Sequence, residues 1–163
     1  MLPVIFAWDF DETICIGGWP VIDNGKPVEE AILITNFFRS LGHINILWTC
    51  RGNQNLNDAI MFCNKHGYAI DYFNENVPFL TELYDHDSRK IGADYYIDDK
   101  NIAPWTWQDV VLVGIRAYVN NKFKEREGGY DWRTDLLQKI QENERVLTLV
   151  QLEMFDLEKA GLI

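Results

Sequence analysis

Two carboxylates, Asp9 and Asp11, stand two residues apart, directly after an apolar run over residues 3–8. An unbroken apolar run of this length is typical of a buried parallel strand. Ligands of open α/β sheets bind beyond the carboxyl ends of the strands, which is where these two acids would lie. Because two negative charges so close repel each other, we expect a cation to hold them together.

A second apolar run, over residues 44–48, ends in Thr49-Cys50-Arg51. A threonine hydroxyl donates one hydrogen bond, and an arginine guanidinium donates a bidentate pair. These two groups at the end of a strand suit a phosphoryl group. The alternative for Thr49 is a helix cap.

A lysine and a further pair of acids complete the pattern. Lys90 lies in a polar stretch, and Asp98 and Asp99 follow a third strand-like run over residues 93–97. Taken alone, the lysine could lie on the surface and the acids could open a turn. The four pieces in this order, three of them at the ends of apolar runs, are much less expected by chance.

In this order the segments resemble the haloacid dehalogenase-like phosphohydrolases. That family has a hydrophobic strand ending in Asp-x-Asp-x-Thr, a strand ending in Thr or Ser, a Lys, and a strand ending in paired acids. The matching residues, over positions 3 to about 105, are Asp9, Asp11, Thr13, Thr49, Lys90, Asp98 and Asp99. The sequences around Thr49 and Asp98 are similar to a small bacterial and phage subgroup without large caps. Glu12 stands where many members have Gly, which affects the expected substrate fit more than the chemistry.

The resemblance implies a Mg²⁺-dependent phosphatase that works through an aspartyl phosphate. Asp9 would be the nucleophile that attacks phosphorus. Asp11 would protonate the leaving oxygen and then accept a proton from the attacking water. Such transfers depend mainly on positioning and on charge stabilisation.

The resemblance also assigns the binding residues. The magnesium ligands that it implies are Asp9, the backbone carbonyl of Asp11, Asp98 and, assisting, Asp99. Thr49 and Lys90 would hold the phosphoryl oxygens, and Lys90 would also neutralise the carboxylates. Arg51 would bind substrate, a role supported by the subgroup match alone.

Strand-like runs alternate with helix-like segments along the chain. This alternation predicts an α/β fold in which a Rossmann-like parallel sheet is flanked by helices. Residues 27–41 and 56–66 are predicted helices, ended by Gly42 and Gly67. Residues 69–73 are a predicted strand.

Two later segments need separate treatment. Residues 74–89 carry a proline and many charges, which predicts a loop with a short helical piece. Residues 107–123 fit either a strand or a helix. Their one-sided apolar stripe favours a helix, with Thr106 and Asp109 as a capping box.

We predict a catalytic domain over residues 1–127 and a helical extension over residues 128–163, separated at Gly128-Gly129. Residues 132–157 predict one long helix. Its apolar positions recur at spacings of four and three, with one polar exception, and are Leu136, Ile140, Asn143, Leu147, Val150, Met154 and Leu157. Such a heptad seam favours a homo-oligomer. The alternative is a helix folded back onto the sheet domain.

Composition limits the possible classes of protein. A chain of 163 residues with 47% hydrophobic residues suits one domain with a real core and excludes a disordered chain. No apolar run is long enough to span a bilayer. Three cysteines without metal-site spacing predict the reducing cytoplasm. A net charge of −10 argues against non-specific nucleic-acid binding, which needs clustered Lys and Arg.

Little chain is available to cover the site. Between the first two motifs lie one predicted helix and a short flap, residues 15–26, made flexible by Gly17-Gly18. An open site could admit a large substrate, or a partner subunit could cover it. Trp19, Trp105 and Trp107 either stack on a base or sugar or, as is more common, belong to the core.

Three functions stay open at this stage. The favoured one is a phosphatase acting on a small phosphorylated substrate, such as a nucleotide or sugar phosphate. The second is a non-catalytic scaffold assembled through its helical tail. The third is a nucleic-acid end-processing phosphatase, whose basic track would be Arg51, Arg89, Lys90 and Lys100. The order of the motifs argues against a receiver domain, because its lysine comes last, whereas here the lysine precedes a second acidic pair.

Overall fold

A computed structural model describes residues 2–124 and 131–162. The strands in chain order are β1 (Ile5–Trp8), β2 (Cys15–Ile16), β3 (Lys26–Pro27), β4 (Ile44–Leu47), β5 (Tyr72–Phe73) and β6 (Tyr95–Ile97). The helices are α1 (Glu29–Ser40), α2 (Asn53–His66), α3 (Pro78–Tyr84), α4 (Trp107–Lys124), α5 (Trp132–Glu142), α6 (Glu144–Leu149) and α7 (Met154–Lys159). None of the helices in these two ranges is both long and apolar enough to cross a membrane.

The central sheet is parallel and has the strand order β5-β4-β1-β6. All four residues of β1 are buried, because β4 and β6 pair with its two edges and helices cover its faces. Phe6 and Trp8 of β1 pack against Phe38 of α1, with ring centroids 4.4 and 5.9 Å apart. This is a Rossmann-like α/β fold, as the alternation of strands and helices predicted.

The predicted helices are present. Gly42 and Gly67 follow the ends of α1 and α2 with φ of +81° and +78°. Glycine adopts this left-handed conformation without the strain that a Cβ introduces, so both helices end where the sequence placed their stops. α2 begins at Asn53, three residues earlier than predicted. β5 is shorter than the strand predicted over residues 69–73, because only Tyr72 and Phe73 join the ladder.

The ambiguous segment after residue 106 is helical. The backbone N–H of Thr106 donates to Asp109 Oδ2 at 2.8 Å, and the Asp109 N–H donates to Thr106 Oγ1 at 3.2 Å. This reciprocal pair is the predicted capping box, and it satisfies donors that the first turn of α4 leaves unbonded. The strand alternative is therefore wrong.

The prediction of one long C-terminal helix is also wrong, because three helices, α5, α6 and α7, occupy that segment. The break falls at Asn143, which ends α5 and begins α6 and whose side-chain amide donates to Lys139 O at 2.8 Å. The polar position of the supposed seam is thus a helix end. The Gly128-Gly129 break lies outside the described residues.

The tail shares the core of the sheet domain. Leu136 and Leu157 are fully buried in the same apolar cluster as β1, whereas Met154 is 40% exposed. α6 packs on α1, and Arg145 of α6 pairs with Glu29 of α1. The folded-back alternative is therefore the observed one, and the apolar seam is already used within the chain.

Candidate active site

Three predicted residues meet where the strands end. Asp9 follows β1, Thr49 lies just beyond β4, and Asp98 follows β6. Because β1 lies between β4 and β6 in a parallel sheet, these ends are neighbours at one edge. All three residues line a cleft of about 660 Å³, together with Asn74 and Arg89.

An acidic cluster occupies one side of the cleft. Carboxylate oxygens of Asp9, Asp98 and Asp99 lie within 4.8 Å of one another. The backbone brings them together, since the Asp9 N–H donates to Ile97 O at 2.9 Å and the Asp99 N–H donates to Thr13 Oγ1 at 3.0 Å. Thr13, buried at the end of the Asp-x-Asp-x-Thr motif, therefore ties the two strand ends to each other.

The surroundings of Asp9 disfavour its charged form. Burial raises the pKa of Asp9 from 3.8 to about 6, against a backbone hydrogen bond from Phe10 that lowers it. The negative charges of Asp98 and Asp99 raise the pKa further, and the positive charge of Lys100 lowers it. A cation bound among these carboxylates would relieve the same repulsion.

The donor set fits magnesium. Mg²⁺ prefers oxygen ligands and is usually bound in proteins through one or two carboxylates. Asp9, Asp98 and Asp99 would supply such ligands from carboxylate oxygens that already lie within 4.8 Å of one another. Lys100 supplies part of the countercharge, with its Nζ 3.0 Å from Asp99 Oδ1. Its hydrogen bond to Asp99 raises the pKa of Lys100.

Asp11 stands apart from this cluster and pairs with Arg51. Arg51 Nη2 donates to Asp11 Oδ1 at 2.7 Å, and Arg51 Nε donates to Oδ2 at 3.0 Å. The Arg51 side chain is 0% exposed. In this conformation the guanidinium that was predicted to bind substrate contacts the predicted acid/base instead. The Asp11 carbonyl that the resemblance makes a metal ligand stays a prediction.

Asn74 holds the loop that carries Thr49 and was missed by the sequence analysis. Its Oδ1 accepts from the Thr49 N–H at 2.8 Å, and its Nδ2 donates to the carbonyls of Thr49 and Arg51 at 2.9 and 3.0 Å. Asn74 has φ +52°, a conformation for which asparagine is enriched. The available signal was an asparagine just after the strand predicted over residues 69–73.

The predicted lysine is not with the other residues. Lys90 is exposed, and its Nζ lies 5.5 Å from the centroid of the Tyr96 ring. The neighbouring Arg89 lines the cleft with Asp9 and Thr49. Arg89 therefore places a cation in the wall of the cleft, one residue before the lysine that matches the motif.

The flap is a short antiparallel hairpin of β2 and β3. Tyr68 anchors its base, because its hydroxyl donates to Ile14 O at 2.6 Å and accepts from the Val28 N–H at 2.9 Å. At the tip, Trp19 is 61% exposed and lies 5.3 Å from the Arg51 guanidinium. The flap thus contacts the Asp11–Arg51 pair directly.

Trp105 and Trp107 are placed differently from Trp19. Both are partly buried against the core, and their rings meet edge to face at 4.9 Å. Trp105 Nε1 donates to Asp98 O at 2.9 Å. Trp105 thus supports the loop that follows β6.

Comparisons with known proteins bear on the fold alone. No family model matches the chain, and no curated protein matches it. Among solved structures, it is similar to a conserved protein coded by a locus of Bacteroides thetaiotaomicron, with a TM-score of 0.57 and 27% identity. The match covers 78% of this chain and 94% of that one. It supports the Rossmann-like α/β architecture.

Proposed function

We propose that this protein is a Mg²⁺-dependent phosphatase that hydrolyses a phosphomonoester through an aspartyl-phosphate intermediate. The observation that carries the proposal is the meeting of Asp9, Thr49 and Asp98 in one cleft at the carboxyl edge of the sheet. Each residue has the type and the order that the resemblance to haloacid dehalogenase-like phosphohydrolases requires. The cleft volume, about 660 Å³, falls within the range of small-molecule sites.

In the first step an Asp9 oxygen forms a bond to phosphorus while the bond from phosphorus to the leaving oxygen breaks. A proton from Asp11 goes to that leaving oxygen, and Asp11 later takes a proton from the water that hydrolyses the intermediate. When bound, magnesium would be held by Asp9 and Asp98, with Asp99 assisting, and would offset phosphoryl charge.

Two further groups would hold the phosphoryl oxygens. Thr49 Oγ1 accepts a hydrogen bond from the Arg51 N–H at 3.2 Å, which leaves its hydroxyl proton to donate. The cation is Lys90 by resemblance and Arg89 by position. Comparing the KM of Lys90→Ala and Arg89→Ala would show which side chain does this.

The test is hydrolysis of p-nitrophenyl phosphate by the purified chain, with Mg²⁺ and with EDTA. We expect turnover with Mg²⁺ that EDTA removes and Mg²⁺ restores. Absence of turnover on this compound and on a panel of phosphorylated metabolites would overturn the proposal. The non-catalytic scaffold has less support than before, because the tail that was to assemble it is packed on its own domain.

The remaining parts of the proposal are the substrate and the compartment. A small phosphorylated metabolite suits the dimensions of the cleft. The proposed cytoplasmic location rests on the three cysteines, because Cys15, Cys50 and Cys63 are all free thiols.

Magnesium should also stabilise the fold. Because the acidic cluster is assembled only in the folded chain, metal that binds there shifts the folding equilibrium by RT ln(1 + [L]/Kd), about 2.7 kcal/mol at 100 times Kd. Each kcal/mol corresponds to roughly 2–4 °C for a chain of this size. We therefore expect millimolar MgCl₂ to raise the Tm of EDTA-treated protein by roughly 5–10 °C in differential scanning fluorimetry.

The control for this shift is Glu82→Gln, which removes an exposed acid outside the cluster and should keep the full magnesium effect. Asp98→Asn should lose most of it. An equal shift in all three proteins would assign the effect to general salt binding and would remove the case for a metal at the cluster.

A further inference from the structure

The Arg51 guanidinium is held on every side by this chain. Its side chain is 0% exposed, and the ring centroids of Phe10 and Trp19 lie 5.0 and 5.3 Å from its central carbon. Nε and Nη2 donate to the Asp11 carboxylate, and Nη2 also donates to Gly18 O at 2.6 Å. In this conformation the guanidinium therefore cannot bind a substrate that enters from solvent.

One guanidinium therefore connects two parts of the site. Asp11 lies on the loop after β1, and Gly18 lies at the tip of the flap, with Arg51 reaching both from the loop after β4. Gly18 is packed tightly, since a Cβ there would lie 2.6 Å from Cys15 Sγ. The flap tip cannot move away without breaking the Arg51–Gly18 bond and uncovering the face of Arg51 that Trp19 covers.

The Arg51 side chain also has a buried donor without a hydrogen-bond partner among the described residues. Nη1 of Arg51 makes no hydrogen bond within the described residues, although it is buried. A buried donor left unpaired destabilises the fold, so fastening a loop does not by itself account for a charged arginine at this position. The planar guanidinium of arginine binds a carboxylate at two points, so it can fix the orientation of the Asp11 side chain.

We propose that Arg51 is a positioning residue that couples closure of the flap to the orientation of Asp11. With the flap closed, the guanidinium that binds the Gly18 carbonyl also fixes the Asp11 carboxylate, and with the flap open Asp11 turns freely. The inference rests on the proposed function, in which Asp11 moves the protons. It replaces the predicted substrate-binding role of Arg51 with a role exerted through Asp11.

The first test needs no activity. Hydrogen exchange of peptides that cover residues 15–27 is measured in the wild type, Arg51→Lys and Asp11→Asn. We expect both variants to exchange in the flap at least about 10-fold faster, the factor that a loss of 1.4 kcal/mol gives. Peptides covering β1 and β4 serve as the reference for global stability. Arg39→Lys is the matched control, because Arg39 forms an exposed pair with Asp71 at 2.8 Å and should leave the flap unchanged.

The second test is a double-mutant cycle on the kcat for p-nitrophenyl phosphate. If Arg51 acts by orienting Asp11, Arg51→Lys slows the wild type by roughly 10-fold or more but slows Asp11→Asn hardly at all. The KM should change little in both backgrounds. A residue that merely supported the fold would slow both backgrounds by the same factor.

Either of two results overturns the proposal. One is flap exchange in Arg51→Lys that rises no more than exchange in the reference peptides. The other is an equal loss of kcat in the wild-type and Asp11→Asn backgrounds. If the wild type hydrolyses no phosphate at all, the proposed function fails, while the exchange data still decide whether Arg51 ties the flap to Asp11.

Discussion

Asp9→Asn is expected to abolish phosphatase turnover and leave a folded protein. An amide is a poor nucleophile toward phosphorus and a weaker metal ligand than a carboxylate, so the covalent step loses its attacking group. Losing a nucleophile in this way lowers kcat by roughly 10⁴–10⁶-fold. The measurement is steady-state hydrolysis of p-nitrophenyl phosphate with Mg²⁺, alongside circular dichroism to establish the fold.

Glu82→Gln is again the matched control, because it makes the same acid-to-amide change at an exposed position outside the cleft. Its kcat should equal that of the wild type. Turnover by Asp9→Asn at close to the wild-type rate would rule out the aspartyl-phosphate mechanism, whatever the metal dependence.

In EDTA, and so without bound metal, Asp9→Asn should change the thermal stability of the protein by an amount that depends on pH. Asp9 has a pKa of about 6 in the folded chain against 3.8 as its ordinary value, mainly because of burial. A carboxyl group with a raised pKa holds its proton more tightly in the folded state. Stability is therefore lost as pH rises from about 4 through 6. Asp9→Asn removes this loss, so its Tm should exceed that of the wild type at about pH 8 and equal it at about pH 4.

Asp9 is partly exposed, so water screens much of the effect. We expect a gain of roughly 2–4 °C at the higher pH, which corresponds to about 1 kcal/mol in a chain of this size. A Tm difference between Asp9→Asn and the wild type that is the same at both pH values would show that the charge of Asp9 is not the cause.

The sequence predicted those parts of the site that depend on strand ends. Asp9, Thr49 and Asp98 each follow an apolar run, and runs of buried residues locate parallel strands well. The order of the strands then brings their ends together, and the cleft has all three residues in its wall. The left-handed glycines after α1 and α2 were predictable for a similar reason, since one residue type determines the backbone there.

Contacts between distant loops were beyond the sequence analysis. Arg51 and Asp11 are 40 residues apart, and Asn74 lies 25 residues from Thr49. Neither pairing leaves a periodic pattern. The position of Lys90 on the Tyr96 ring, with Arg89 at the cleft, depends on how an irregular loop turns. A shift of one residue in such a loop exchanges which side chain faces the site.

The prediction of one long helix in the tail was wrong for a different reason. Spacings of four and three identify which residues share a face, but they do not say where a helix ends. Asn143 fitted the seam as a polar core position, whereas in the structure it is the junction of α5 and α6. Five of the six apolar seam residues are buried, Met154 being the exception, and the surface that buries them belongs to the same chain.

Leu136→Ala is therefore expected to destabilise the whole chain, with a single transition in thermal unfolding. Leu136 is 0% exposed and lies in the cluster that also holds Phe6 and Trp8 of β1. Removing a buried leucine side chain costs about 2–5 kcal/mol, because the lost transfer energy adds to the cost of the cavity. The corresponding fall in Tm is roughly 5–15 °C, measured by differential scanning calorimetry.

Leu137→Ala is the control next in sequence, because Leu137 is 42% exposed on the other side of α5 and its truncation should shift Tm by no more than about 2 °C. If the tail instead formed a separate oligomeric helix, Leu136→Ala would make the oligomer dissociate in sedimentation and leave the Tm of the sheet domain unchanged. If α5 completes the core around β1, the whole chain unfolds in one transition at a lower Tm and its sedimentation does not change.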